Sequence, residues 1–181
     1  MAKKQETYVE TPFYGYLWDF YKNHKKEVKR EYTDLTKKIL SQAAPENSDH
    51  FLRTPQYEAF EMYVFLKEYL NNPRLAELFD DWRKDTGKFK MKDTNVSGIS
   101  GDLFASTDAA NFEPAIQQLK NLEQDYANYI FSLTMGTGKT ILMALCIFYE
   151  FLLAHKYPED KRFCHNAIVL APDTTVLQSL K

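Results

Sequence analysis

At 181 residues with a formal net charge of −2, the chain has the length of one domain or a little more, and no overall basic excess of the kind a dedicated nucleic-acid binder carries. Hydrophobic residues at 44% and aromatics at 15%, mainly 12 Tyr and 13 Phe, supply ample core for a globular protein, and two cysteines exclude a disulfide framework. The first seven residues lack the apolar stretch of a signal peptide, and the longest apolar run, 141–154, is interrupted by Glu150 and too short to span a bilayer, so a cytoplasmic protein with no membrane partner is expected.

Residues 1–12 are polar. From Phe13 to about Gln42 the pattern is helical, with Phe13, Tyr16, Leu17, Phe20 and Tyr21 recurring at three- and four-residue steps. Lysines and glutamates interleave along the continuation, which suits a solvated face with i,i+4 pairs better than a basic binding surface. Residues 43–50 read as a linker. A helix then opens near Thr54, a capping residue, with Pro55 at the first helical position, and runs to about Asn71. Its expected buried stripe is Ala59, Met62, Phe65, Leu66 and Tyr69.

A further helix from Pro73 buries Leu75, Leu78, Phe79 and Trp82. Between about 84 and 112 the chain is rich in Gly, Ser, Asp, Thr and Lys and reads as an insertion, partly ordered near Ile99 to Phe104. Pro114 starts a helix through Ala115, Leu119, Leu122 and Tyr126. The run Tyr129 to Leu133 is expected to be a strand. A long apolar helix follows from Thr140 to about His155, before Pro158. Asn166 to Ala171 has the near-continuous apolar character of a buried parallel strand, ended by Pro172-Asp173, with another helix from Thr174. Cys146 falls on the apolar helix as a buried thiol, and Cys164-His165 lacks any partner at metal-ligand spacing.

Between the expected strand and helix lies Leu133-Thr134-Met135-Gly136-Thr137-Gly138-Lys139-Thr140. Chance gives Gly-x-Gly-Lys-Thr in a chain of this length on the order of a few times in a thousand, so a phosphate-binding loop is the preferred reading over a glycine-rich turn. Glycines without Cβ let successive N–H groups face phosphate oxygens, and the helix N-terminus adds donors and a favourable dipole. Met135, Gly136, Thr137, Gly138, Lys139 and Thr140 are the candidate contacts. Lys139 suits the β- and γ-phosphates and the Thr140 hydroxyl suits Mg²⁺. One departure from the full motif is Leu133, where its first glycine would stand.

Three segments in order resemble motifs of superfamily 2 DEAD/DEAH-type helicases, most closely the restriction subunits of type III restriction–modification enzymes. Leu52 to Ala59 resembles the adenine-reading motif, Thr134 to Thr140 looks like motif I, and Val169 to Gln178 is similar to motif Ia. The resemblance covers about 52–181 and implies ATP and Mg²⁺ as cofactors, with Gln56 reading adenine, Lys139 and Thr140 as catalytic residues, and Thr174 and Thr175 on DNA. It also implies an α/β fold: a parallel P-loop (RecA-like) sheet over 51–181, incomplete, preceded by a helical segment over 1–50. A methyltransferase subunit is a further implied partner. No Asp-Glu motif follows the second expected strand, and Asp80-Asp81 lie in a helical pattern, so the chain reads as the N-terminal piece of a motor with little ATP turnover of its own. The alternatives are a P-loop kinase or other phosphotransferase and a non-catalytic interaction module.

Overall fold

A computed structural model describes residues 13–47, 51–94, 113–121, 123–134 and 136–170, with the backbone alone at 113–115. In chain order the elements are α1 (Phe13–Glu31), α2 (Asp34–Ala43), α3 (Thr54–Val64) continued by a π turn (Phe65–Tyr69), α4 (Leu75–Arg83), a 3₁₀ turn (Met91–Asp93), α5 (Glu113–Asn121) and α6 (Lys139–Lys156). The chain forms two compact units, one from Met1–Lys25 and Pro73–Tyr129, the other from Lys26–Asn72 and Ile130–Lys181; the division falls within α1.

The helical pattern from Phe13 to Gln42 is two helices, not one. Thr33 breaks it by taking extended geometry (φ −61°, ψ 154°) as the cap of α2, its Oγ1 accepting the backbone N–H of Thr36 at 3.2 Å. A threonine hydroxyl bonded to the third helical N–H stabilises a fresh start over continuation. At α3 the cap is Arg53 rather than Thr54, and the side chain of Gln56 bonds back to the Arg53 N–H at 2.7 Å, one half of a capping box. The end of that helix is a π turn. Leu70 donates to the carbonyl of Phe65 (3.1 Å), and Asn71 and Asn72, both left-handed (φ 64° and 54°), close it ahead of Pro73. All five residues of the expected stripe are buried, but so are Tyr57, Phe60, Glu61, Val64, Lys67 and Glu68, so the element is enclosed nearly all round. Pro73 does not begin α4, which starts at Leu75, and Tyr126 lies outside α5.

The parallel sheet expected from the sequence is overturned. Among the described residues there is no strand: 129–134 and 166–170 are irregular, and all of the regular structure is helical. The physical reason is the absence of neighbours among the described residues. A parallel strand is covered on both faces and paired along its length. Here Ile130, Ile168 and Leu170 are 93%, 87% and 90% exposed, and among the described residues no backbone ladder holds either run. An apolar run of five or six residues has little intrinsic preference for a strand without that pairing. Ala171 and the helix expected from Thr174 lie outside the described residues, as does Ile99 to Phe104. No described helix is long and apolar enough to cross a membrane.

In the first unit, aromatic side chains make the core. Phe13 meets Phe79 edge-on at 4.6 Å, Tyr16 stacks on Trp82 at 5.0 Å, and Phe20 meets Phe89 edge-on at 5.2 Å. Phe89, from the segment read as an insertion, is thus a core residue (1% exposed). Trp82 stacks also on Phe79 and Phe89, and its indole N–H donates to Thr94 Oγ1 at 3.2 Å. α5 is tied in at the α4 cap, where Arg74 Nε pairs with Glu123 Oε1 at 3.1 Å. In the second unit α2 and α3 pack against α6, which buries Leu142, Leu145, Tyr149 and Leu153 at three- and four-residue spacing. Trp82 is the joint of the first unit. Trp82→Ala is expected to lower its unfolding free energy by about 3–5 kcal/mol, the usual cost of emptying a buried Trp site, read from denaturant midpoints followed by circular dichroism.

Candidate functional site

Gly138 caps α6 in left-handed geometry (φ 73°, ψ 45°), and Gly136 is left-handed as well (φ 77°). Only glycine adopts two such positions within three residues at little cost, and the pair folds the chain back over the start of α6. Thr134, Gly136, Thr137, Gly138, Lys139 and Thr140 form one turn there. The hydroxyl of Thr137 and the ammonium of Lys139 both donate to the carbonyl of Thr134, at 2.6 and 2.8 Å. Thr140 is the second residue of α6 and half-buried, whereas Lys139 is exposed.

Gln56 joins this turn from the far side of the sequence. Its Nε2 donates to the carbonyl of Gly138 at 2.9 Å while its Oε1 accepts from the Arg53 N–H, so one buried amide ties the start of α3 to the loop. Reading adenine would need the amide's second N–H and second lone pair, or rotation away from Gly138. Arg53, which the sequence reading did not single out, is also here: its Nη1 donates to the carbonyl of Gly136 at 3.1 Å. Met135, Thr174 and Thr175 lie outside the described residues. The loop therefore gathers Gln56, Gly136, Thr137, Gly138, Lys139 and Thr140, and it follows an irregular segment where a strand was expected.

Behind the loop, a buried polar network locks α6 in place. Glu150, the residue that interrupts the apolar run, pairs with Lys67 Nζ at 3.2 Å, accepts from the Tyr63 hydroxyl, and accepts from the Cys164 N–H at 2.9 Å. Glu68 accepts from the Tyr149 hydroxyl (2.6 Å), the Thr33 N–H (2.8 Å) and the Thr36 hydroxyl. Lys67 donates also to the carbonyl of Arg162, whose guanidinium returns a bond to the Glu68 carbonyl at 3.1 Å. Three charged side chains are buried here, and each has ionic or charge-assisted partners, as their desolvation demands. A glutamate inside an apolar helix was the one sequence signal for this network; its partner could not be named from the sequence.

Burial raises the pKa of Tyr63 and Tyr149 well above the normal phenol range, and the carboxylates of Glu150 and Glu68 beside them act in the same direction. Burial, with Glu150 nearby, pushes the Cys146 thiol up to about 12. Among the described residues no cluster of His, Cys, Asp and Glu could hold a metal ion, and Thr140 alone offers a single hydroxyl. In comparisons with known proteins, no family model, no curated protein and no solved structure matches this chain.

A Cβ at Gly138 would lie 2.4 Å from Gln56 Nε2 on a left-handed backbone. Gly138→Ala is therefore expected to destabilise the second unit by about 1–3 kcal/mol and to part Gln56 from the loop, seen as a lower melting temperature. The alkaline limb offers a second check. The phenols of Tyr63 and Tyr149 and the Cys146 thiol have folded pKa values above their unfolded ones, so the stability they confer is complete below the unfolded values, about 8.5 for Cys and about 10 for Tyr, and is lost as pH rises beyond them. The melting temperature should hold level from neutrality to about pH 8.5 and fall above it, with the tyrosinate absorbance of these two rings appearing only on unfolding.

Proposed function

We propose that the chain binds ATP through the loop at 134–140, and that it serves as the ATP-binding part of a motor acting on DNA. The observation that carries the first half is the convergence of two left-handed glycines, the α6 N-terminus, Lys139 and the Gln56 amide on one turn. Backbone N–H groups at a helix start, with a lysine following the second glycine, match the charge and shape of a phosphate chain. The hydroxyl of Thr140 would add one oxygen to a Mg²⁺ shell otherwise supplied by nucleotide phosphates and water, since the described residues hold no cluster of carboxylates for it.

In that role Lys139 would leave the Thr134 carbonyl for the β- and γ-phosphate oxygens, and its ammonium would offset the charge that develops there. Bound Mg²⁺ would supply Lewis-acid polarisation of the same phosphates. The choice of ATP over other nucleotides, and of DNA as partner, rests on the likeness of Leu52 to Ala59, Thr134 to Thr140 and Val169 to Gln178 to superfamily 2 helicase motifs, with Thr174 and Thr175 as the DNA-facing residues.

Binding is checked directly by titrating a fluorescent ATP analogue with Mg²⁺ into the purified chain. Lys139→Ala should weaken binding by about tenfold or more, the loss of one charge-assisted contact of about 1.5–3 kcal/mol, at an unchanged melting temperature. Failure of the unaltered protein to bind ATP, or equal binding by the Lys139 variant, would falsify the loop reading. Stimulation by single-stranded DNA separates a motor from a phosphotransferase, which would instead transfer the γ-phosphate to a small acceptor.

A further inference from the structure

We infer that Arg53 is a second cationic contact for the phosphate chain of the nucleotide, brought to the loop by the Gln56 amide. This rests on the loop reading above and extends it to a residue outside the glycine-rich motif. Arg53 and Gly136 are separated by 83 positions, yet the guanidinium donates to the Gly136 carbonyl at 3.1 Å. That placement is built rather than incidental. The Arg53 N–H is held by Gln56 Oε1 (2.7 Å) and Gln56 Nε2 by the Gly138 carbonyl (2.9 Å), so the backbone that carries the guanidinium is fixed relative to the loop.

Charge supplies the second argument. Elsewhere in the described structure, Arg74, Arg83 and Arg162 each sit on a carboxylate, at Glu77 and Glu123, Asp80 and Asp160 respectively. Among the described residues Arg53 and Lys139, like Arg30, do not. The partners of Arg53 and Lys139 among these residues are neutral carbonyls of the same turn, Gly136 and Thr134, so two cations with no carboxylate partner there converge beside the helix N-terminus. A guanidinium carries five N–H donors in a planar fork, of which the Gly136 carbonyl takes one, and the remainder suit two oxygens of one phosphate. There is room for such a group, since a Cβ at Gly136 would meet nothing within 4 Å and the Arg53 side chain is exposed. An anion, and not the base, is what this pair of cations complements.

The test titrates the full chain with ATP, GTP and inorganic tripolyphosphate, comparing Arg53→Met, Arg53→Lys and Lys139→Ala. Arg53→Met should weaken all three ligands by about tenfold alike, and Arg53→Lys should recover part of the loss, the point charge without the fork. Binding of Arg53→Met should also fall less steeply with added salt. If Arg53→Met lowers the melting temperature, Arg53→Gln, which keeps a donor for Gly136 without the charge, carries the same comparison. A loss confined to ATP, with tripolyphosphate unaffected, would make Arg53 a base contact and overturn the inference. Equally fatal is unchanged binding in the Met and Gln variants while Lys139→Ala abolishes it. Should Lys139→Ala itself bind normally, the loop reading falls first and Arg53 falls with it.

Discussion

The second unit depends on how α6 is held, and it is held at its start and again at Glu150 by the element that begins at Thr54. At the start of α6, Gln56 grips the Gly138 carbonyl; further along, Lys67 and Tyr63 grip Glu150. A buried ion pair is not in itself a strong source of stability, because desolvating two charges offsets most of their attraction. Its effect is on geometry. Once Glu150 is buried, any arrangement that separates it from Lys67 leaves an unpaired charge in a medium of low polarity, which costs several kcal/mol. That cost restricts the rotation and translation of α6, and so fixes where Lys139 and Thr140 emerge.

The tyrosines extend this constraint. Tyr63 and Tyr149 present ring faces to the apolar interior, where Tyr149 meets Phe60 and Phe163 edge-on at 5.6 and 6.0 Å, and hydroxyls to the two carboxylates. An aromatic residue with a polar tip is the side chain that can sit at such a boundary between core and charge. Glu68 in turn draws in the cap of α2 through Thr33 and Thr36, so the helix break and the charged network are one arrangement.

Much of the helical content was legible in the sequence, because it follows from periodicity. The aromatic steps from Phe13 to Tyr21, the stripe at Ala59, Met62 and Tyr69, and the apolar run after Lys139 all mark helices that form, whereas the glycine-lysine turn precedes its helix but follows an irregular segment instead of a strand. What could not be read were features set by contacts distant in sequence. Thr33 as a cap competes with a continuous helical pattern, and periodicity cannot arbitrate between them. Asn166 to Leu170 has the composition of a buried strand, but a strand needs a neighbour, and the pairing is not encoded in the run itself. Nothing in the sequence singles out Arg53 or Lys67; only the fold places the Gly136 carbonyl against one and the Glu150 carboxylate against the other.

The π turn at Phe65–Tyr69 has its own consequence. Successive residues of an α-helix point about 100° apart, so on a regular helix Lys67 and Glu68 could not readily both face inward. The wider turn, closed by Leu70 on Phe65, carries one more residue than an α-helical turn and lets both side chains face inward, one to Glu150 and one to Thr36 and Tyr149. The number of residues in this turn is therefore as constrained as their identity. Substitutions there can be absorbed one atom at a time, whereas a single deletion would swing one of two adjacent buried charges away from its partner. Length variation in this chain belongs in the segments around it, not in the turn.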